Sequence, residues 1–542
     1  MSGHASIGVD VGTGSARAGV FDGEGRLLGV ASSAIGLWRP RPGWAQHDSA
    51  DIWRNVAKAV RQAVAQSGAA PEDICGIGFD ATCSLVLEGS GADRPCVDPD
   101  GAEGQDVIVW MDHRATDDAE AINAQGGAPL SYLGGRISPE MQLPKLRWLQ
   151  RTMPDTFGAS VRFWDLPDWL VYRACGATRR SLCSGVCKWT YLGHRGNDGD
   201  GWDDGFLANI GLPALTGEAG RSRIGAGFLH PGERAGVLSE TSAAELGLRP
   251  GIAVAASLID AYAGALGTLA ADGGDGMGRL AVIAGTSVCH IALTKEPVPV
   301  PGVWGPYFNV LTQGSWALEG GQSAAGSLLD TILNRHAATP TLSVAAHDAG
   351  RSLHQHLAAL LGELSDDPST LTRDRHIQPD FHGNRSPLAE PWRLGAISGL
   401  SLDVGARDLL LDYLAALQAI CYGTRHIIET MEASGAAVGE LVMSGGLATS
   451  PLFLRELADV TGRDVLVPET SEPVLLGAAM LGSAAAADGD AAAAMKRMAP
   501  GATRTVPRGS GAADYHARKY AVFRHMQDSH AVMRAIMMGE AT

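Results

Sequence analysis

Two carboxylates stand where a carboxylate is costly. Asp10 interrupts the apolar run "IGVDVGTGS" (7–15), and Asp260 lies among small and apolar residues in "SLIDAYAGALG" (257–267). An ionised carboxylate in such a setting needs a cation, a set of donors or a task. Asp10 leads into Gly12-Thr13-Gly14-Ser15. The glycines of that turn allow close backbone approach, and its N–H groups and hydroxyls suit phosphate oxygens. Magnesium carried on those phosphates would give Asp10 its counter-charge, directly or through water. The alternative is a carboxylate hydrogen-bonded to nearby backbone. Asp260 has no cation in its segment, so it should hold its proton more tightly than an ordinary aspartate. That suits a general base taking a proton from an alcohol. It also fits the cap of a helix starting at Ala261, and the two roles are compatible.

The glycine-hydroxyl turn recurs at Gly285-Thr286-Ser287, inside "RLAVIAGTSVCHIALT" (279–294). One such turn is most simply a hairpin. Two, on opposed domains, can clamp a polyphosphate. A third glycine turn, "SGGLATSP" (444–451), follows an apolar strand and opens a helix. Gly445 and Gly446 there would let a purine lie flat on the backbone, with Ser450 near the base. Other nucleotide folds fail on inspection. No lysine follows a glycine, which excludes a P-loop. Residues 16–21 read as a strand, so no GxGxxG opens a helix.

Polyol recognition needs donors and acceptors beside apolar walls. Thr82 ends the strand "ICGIGFDATCS" (74–84) next to Asp80, Lys188 sits in the apolar "GVCKWTY" (185–191), and Glu319 sits in "WALEGGQSAAG" (316–326). An ion pair between Lys188 and Glu319 is the structural alternative. Trp304 and Tyr307 read equally as walls or as core, and Asp112 and Arg114 as a support or a structural pair. "FHGNRSP" (381–387) reads as a loop.

These residues need strands to carry them. Residues 6–31 read as three short strands with a turn at Asp22–Gly25. Ile52, Val56, Val60 and Val64 keep helical spacing after Asp48-Ser49, and Gly68 closes the helix. The order apolar strand, glycine-hydroxyl turn, apolar strand occurs near residue 10 and again near 285. We read this as a duplication: one domain over 1–265, a second over 266–500 with the ligands in the cleft between, and a helical tail over 501–542 without nameable chemistry.

At 542 residues the chain exceeds a single core. With 45% apolar and 19% charged residues it has a globular composition. A net charge of −16 argues against a nucleic-acid or anionic-membrane surface. Eight cysteines without a CxxC pair point to free thiols in a reducing cytoplasm. The first residues lack a basic region followed by an apolar run, so no signal peptide is expected, and no uncharged apolar run reaches the roughly 20 residues of a membrane span.

The ordered set "GVDVGTGSARAGVFD", "WMDHRA", "DAYAGALG", "AGTS", "MSGGLATSPLF" and "EPVLLGAAMLG" resembles the FGGY family of carbohydrate kinases over residues 5–490. "GFDATCSLV", "WMDHRA", "GVWGPY" and "FHGNRSPLAEP" are most similar to its ribulokinase branch, D-ribulose kinases above all. The resemblance implies an α/β fold of two duplicated RNase H-like, actin-like domains around a central cleft. It implies Asp260 as the base, and Thr82, Lys188, Asp260 and Glu319 on a ketopentose. For the nucleotide it implies ATP on Gly445 and Gly446, with Gly326 near the ribose and phosphates. The asparagine frequent in related kinases is Ser450-Pro451 here, which leaves base selectivity open. Expected ligands are ATP, Mg²⁺ at Asp10 and a sugar, in a cytoplasmic protein compatible with a homodimer. D-ribulose is the expected acceptor, with ribitol or L-ribulose as alternatives. A non-catalytic nucleotide switch is the more distant one.

Overall fold

The computed structural model describes residues 5–91, 93–101 and 104–539. The outer ends of the expected first domain and tail, 1–4 and 540–542, lie outside the described residues. β1 (Ala5–Val11), β2 (Ser15–Phe21) and β3 (Leu27–Ala34) form an antiparallel meander. Helix α1 (Ser49–Ser67) starts where the Asp48 carboxylate accepts the Ala50 and Asp51 N–H groups and stops at Gly68, whose φ is 67°. It buries Ile52, Val56 and Val60 and returns the chain to β4 (Ile74–Ala81), parallel to β1. A parallel return requires such a crossover. Helix α2 (Leu182–Trp189) carries Lys188. β5 (Arg234–Val237), β6 (Ala253–Ala255) and β7 (Leu258–Ile259) complete the sheet in the order β5-β6-β4-β1-β2-β3, with β7 beside β4.

Helix α3 (Asp260–Leu269) leads into a second sheet, built from β8 (Arg279–Ala284), β9 (Val288–Thr294), β10 (Trp304–Phe308) and β11 (Trp316–Gln322). Helices α4 (Gly326–Arg335), α5 (Leu353–Leu364) and α6 (Ala406–Ala433) follow. Next come β12 (Glu440–Gly445), α7 (Pro451–Thr461), β13 (Val465–Pro468), α8 (Pro473–Ala486), β14 (Ala502–Thr505) and α9 (Ser510–Met538). The order is β10-β11-β9-β8-β12-β13-β14. Strand for strand, β3-β2-β1-β4-β6-β5 matches β11-β9-β8-β12-β13-β14. Each set has three antiparallel strands, two parallel ones and an antiparallel edge. The duplication is thus present in the hydrogen bonding.

The halves exchange helices. α3 leaves the first sheet and packs under β8, whereas α8 leaves the second sheet and packs on β1 and β4. Where α3 and α8 cross, a Cβ on Gly267 would lie 2.0 Å from the Pro473 carbonyl oxygen, and one on Gly477 would lie 2.0 Å from that of Ala263. The expected division between 265 and 266 falls inside α3. The tail differs from the expected helix: its first residues form β14 on the edge of the second sheet. Four residues are too few for a readable alternation.

Candidate active site

A cavity of about 400 Å³ opens between the two halves. The first half contributes Asp10, Gly12, Thr82, Lys188 and Asp260 to its wall; the second contributes Gly285, Thr286, Ser287 and Glu319. These positions, up to 309 residues apart from Asp10 to Glu319, meet because strand ends meet. β1, β4 and β7 run side by side in parallel, so Asp10, Asp80 and the start of α3 share one edge.

Asp260 is the first residue of α3, and one of its oxygens accepts the Ala261 N–H at 2.7 Å. Burial pushes its carboxyl up to about 6, with the charge of Asp10 adding and the Ala261 bond and Lys188 opposing. Lys188 is held beside it through α2. The Ser181 hydroxyl donates to the Ser257 carbonyl at 2.6 Å, and Trp189 Nε1 donates to Asp165 at 3.0 Å. Thr82 continues the edge of β4, its N–H on the Val11 carbonyl at 3.0 Å. Glu319 projects from β11, accepting from the Tyr262 hydroxyl at 3.2 Å and from Arg385 at 3.0 Å. Its ion pair is therefore with Arg385 and not with Lys188.

Arg385, Glu140 and Trp110 also line the cavity and were not legible in the sequence. Arg385 comes from the "FHGNRSP" loop and meets a residue 66 positions earlier, a distance at which no periodicity speaks. Trp110 and Glu140 are tied together by buried Lys145, which donates to the carbonyls of Val109, Trp110 and Glu140 at 3.1, 3.2 and 3.1 Å. Trp304 stands behind Lys188 and Arg385, and Tyr307 is wholly core. Asp112 and Arg114 form a buried pair at 2.7 Å, away from the wall.

The first turn contributes Gly12 to the wall. Thr13 instead accepts from Trp110 Nε1 on its hydroxyl at 3.0 Å, the Gly14 carbonyl receives the Ile35 N–H at 3.1 Å, and the Ser15 carbonyl receives the Gly12 N–H at 3.0 Å. They brace the turn.

Asp10 and Asp80 are opposed in register on β1 and β4. Asp80 is fully buried, and neither oxygen finds a donor among the described residues. Burial and the charges of Asp10 and Asp260 hold its carboxyl well above the usual range. Burial also raises Asp10, against the pull of Arg17 at 3.5 Å. Hard oxygen donors in this state fit magnesium. His336, Asp408 and Asp412 also cluster, but the Arg375 guanidinium already meets both carboxylates.

A second cavity of about 410 Å³ touches the first at Gly285. Gly326, Gly446 and Ser450 line it, with Leu329, Ala358 and Leu447 as apolar surface and Asp330 and His354 as polar groups. The N-terminus of α4 faces this junction: the Gly326 N–H reaches the Gly285 carbonyl at 3.1 Å, and Ala325 and Ser327 N–H reach that of Thr286 at 3.0 and 3.2 Å. Those N–H groups are thereby used, so α4 braces the second turn and brings the positive end of its dipole to the junction. Ser450 caps α7 through the Phe453 N–H. Gly445 lies outside the wall, with φ 91° and its Cβ position 2.3 Å from the Ala284 carbonyl oxygen. It sets the turn that presents Gly446. Asp330, His354 and Tyr413 were missed, since they come from helices whose pattern reports packing alone.

Two actin-like halves, a phosphate-suited junction and an acid-lined pocket define a phosphotransferase that acts on an alcohol. Residues 5–267 match the N-terminal domain and residues 280–486 the C-terminal domain of the FGGY family of carbohydrate kinases, and the chain belongs to that family. It is 43% identical over 545 aligned residues to the human FGGY carbohydrate kinase domain-containing protein, covering 98% of this chain and 97% of that one. It is 41% identical to a D-ribulokinase of Saccharomyces cerevisiae, covering 89% and 72%. In structure it resembles a xylulose kinase from Rhodospirillum rubrum, with a TM-score of 0.78, 22% identity and coverage of 97% and 98%.

Proposed function

We propose that the protein transfers the γ-phosphoryl group of ATP to the terminal hydroxyl of a ketopentose, converting D-ribulose to D-ribulose 5-phosphate. The observation that carries this reading is the junction at Gly285 of two cavities, one with Asp260, Lys188 and Glu319 in its wall, the other with a glycine turn and a helix N-terminus. The likeness to the yeast D-ribulokinase supports the choice of sugar.

In this mechanism the sugar lies with its terminal hydroxyl at Asp260 and its other hydroxyls on Thr82, Lys188 and Glu319. Asp260 orients the attacking oxygen and takes its proton as the oxygen–phosphorus bond forms and the bond to the β-phosphate oxygen breaks. The turns at Gly12 and Gly285–Ser287 face the phosphates from opposite halves, with the Thr286 and Ser287 N–H groups and hydroxyls as donors, while the Gly12 and Gly285 N–H groups close their own turns. Asp10, with Asp80 behind it, would hold magnesium, which supplies neutralising charge on the β- and γ-phosphate oxygens when bound. Closure of the halves excludes water and so limits hydrolysis of ATP. A cytoplasmic setting suits the buried free thiols of Cys83, Cys183, Cys187 and Cys421, and a homodimer is the assembly to check by sedimentation.

A panel of ketopentoses and pentitols at fixed MgATP, followed by ADP release, tests the reading. NMR of the product locates the phosphate. D-ribulose should give the highest kcat/KM and a 5-phosphate. Turnover that ignores every sugar would reject it, and a preference for L-ribulose or ribitol would move the acceptor.

A further inference from the structure

The loop holding "FHGNRSP" has so far only a position. Arg385 Nη2 donates to Glu319 at 3.0 Å, and its guanidinium carbon stands 4.5 Å from the centroid of the Trp304 ring. Lys188, from the other half, places Nζ 4.9 Å from the same centroid. Two side chains that can only donate thus converge beside one ring, in a pocket whose acids can only accept when ionised.

The loop is built to keep Arg385 there. Ser386 donates its N–H to the Gly321 carbonyl at 3.1 Å and its hydroxyl to that of Gly302 at 2.9 Å. Asp380 accepts from Gln378 at 2.6 Å and from Asn384 at 2.9 Å, and the Asn384 side chain accepts the Leu388 N–H at 3.0 Å. From behind, Arg393 donates to the Gln527 carbonyl of α9 at 2.8 Å. A side chain held this way gives up little freedom when it binds a ligand.

A 2-ketopentose and its pentitol differ at one oxygen. The carbonyl accepts and has no proton, so two donors satisfy it; the hydroxyl must also place a proton. We propose that Arg385 is a specificity-determining residue: with Lys188 it donates to the carbonyl oxygen of a bound 2-ketopentose and so selects ketoses over pentitols. This rests on the pentulose-kinase reading above.

The test compares wild type with Arg385→Met and Arg385→Lys on D-ribulose and ribitol, with ADP affinity by calorimetry. Arg385→Met should lower kcat/KM for D-ribulose roughly 10–100-fold, the effect of losing a hydrogen bond from a charged donor. Ribitol should lose less than about 3-fold, ADP affinity should hold, and Arg385→Lys should recover part of the ketose preference. Equal losses on both sugars would make Arg385 a prop for Glu319 and overturn the proposal, as would no loss on either. Should Arg385→Met fail to fold in a thermal melt, Arg385→Lys carries the comparison through its altered ketose-to-pentitol ratio. A wild-type protein that turns over no ketopentose rejects the pentulose-kinase reading itself, a result visible before any variant is made.

Discussion

Gly267 and Gly477 touch backbone to backbone where α3 and α8 cross. A side chain on either would meet a carbonyl oxygen of the other helix at 2.0 Å. This crossing joins the halves and continues into Asp260 at the start of α3.

Gly477→Ala should therefore cost stability. The obstacle is main chain, which cannot rotate away, so roughly 1–3 kcal/mol is expected. A thermal melt should fall by several degrees. An unchanged melting temperature would show that the helices can part without cost.

Asp260→Asn keeps the shape and removes the proposed base. Turnover should fall roughly 10²–10⁴-fold while ADP still binds. Rapid-quench measurement of sugar phosphate would check the loss, and calorimetry the retained nucleotide. Near-normal turnover in the folded variant contradicts the assignment.

The pH profile follows from the same group. Asp260 titrates at about 6, above its ordinary 3.8, because of burial. A base works ionised, so kcat/KM should climb about tenfold per pH unit below 6 and level off above it. Stability runs the opposite way. The folded chain binds this proton more tightly than the unfolded chain, so burying the charge costs most above pH 6. That cost is relieved as pH falls from 6 toward 3.8. Asp260→Asn should consequently melt higher than wild type at pH 8, by an amount on the order of 1–3 kcal/mol. A profile flat from pH 5 to 8 would remove Asp260 from the proton transfer.

Gly445→Ala probes the turn proposed to hold the nucleotide. With φ at 91° and the Ala284 carbonyl oxygen 2.3 Å from the new carbon, the turn must shift. ADP affinity should drop about tenfold or more in calorimetry, with the sugar site intact to ligand-induced tryptophan fluorescence. Unchanged ADP binding would free Gly446 from dependence on that turn.

The duplication was legible because each glycine-hydroxyl turn sits between two apolar strands, a pattern local enough to read at Gly12 and at Gly285. Asp260 was legible as a charge out of place. Asp80 was quoted as a strand end and given no role, since its burial depends on β1 lying beside it. Arg385 could not be found at all: its partner Glu319 is on a strand edge reached through the fold, and an arginine in a loop of glycine, asparagine and proline reads as solvated. Strand β14 was absorbed into the tail helix because four residues carry too weak a signal.

The two cavities share Gly285 alone among their lining residues. In the proposed reading the two berths therefore abut at one residue, and neither ligand occupies the other's wall. Order of addition is then a choice of concentration: initial-rate plots should intersect, and spent nucleotide can depart while the phosphorylated sugar is still aboard.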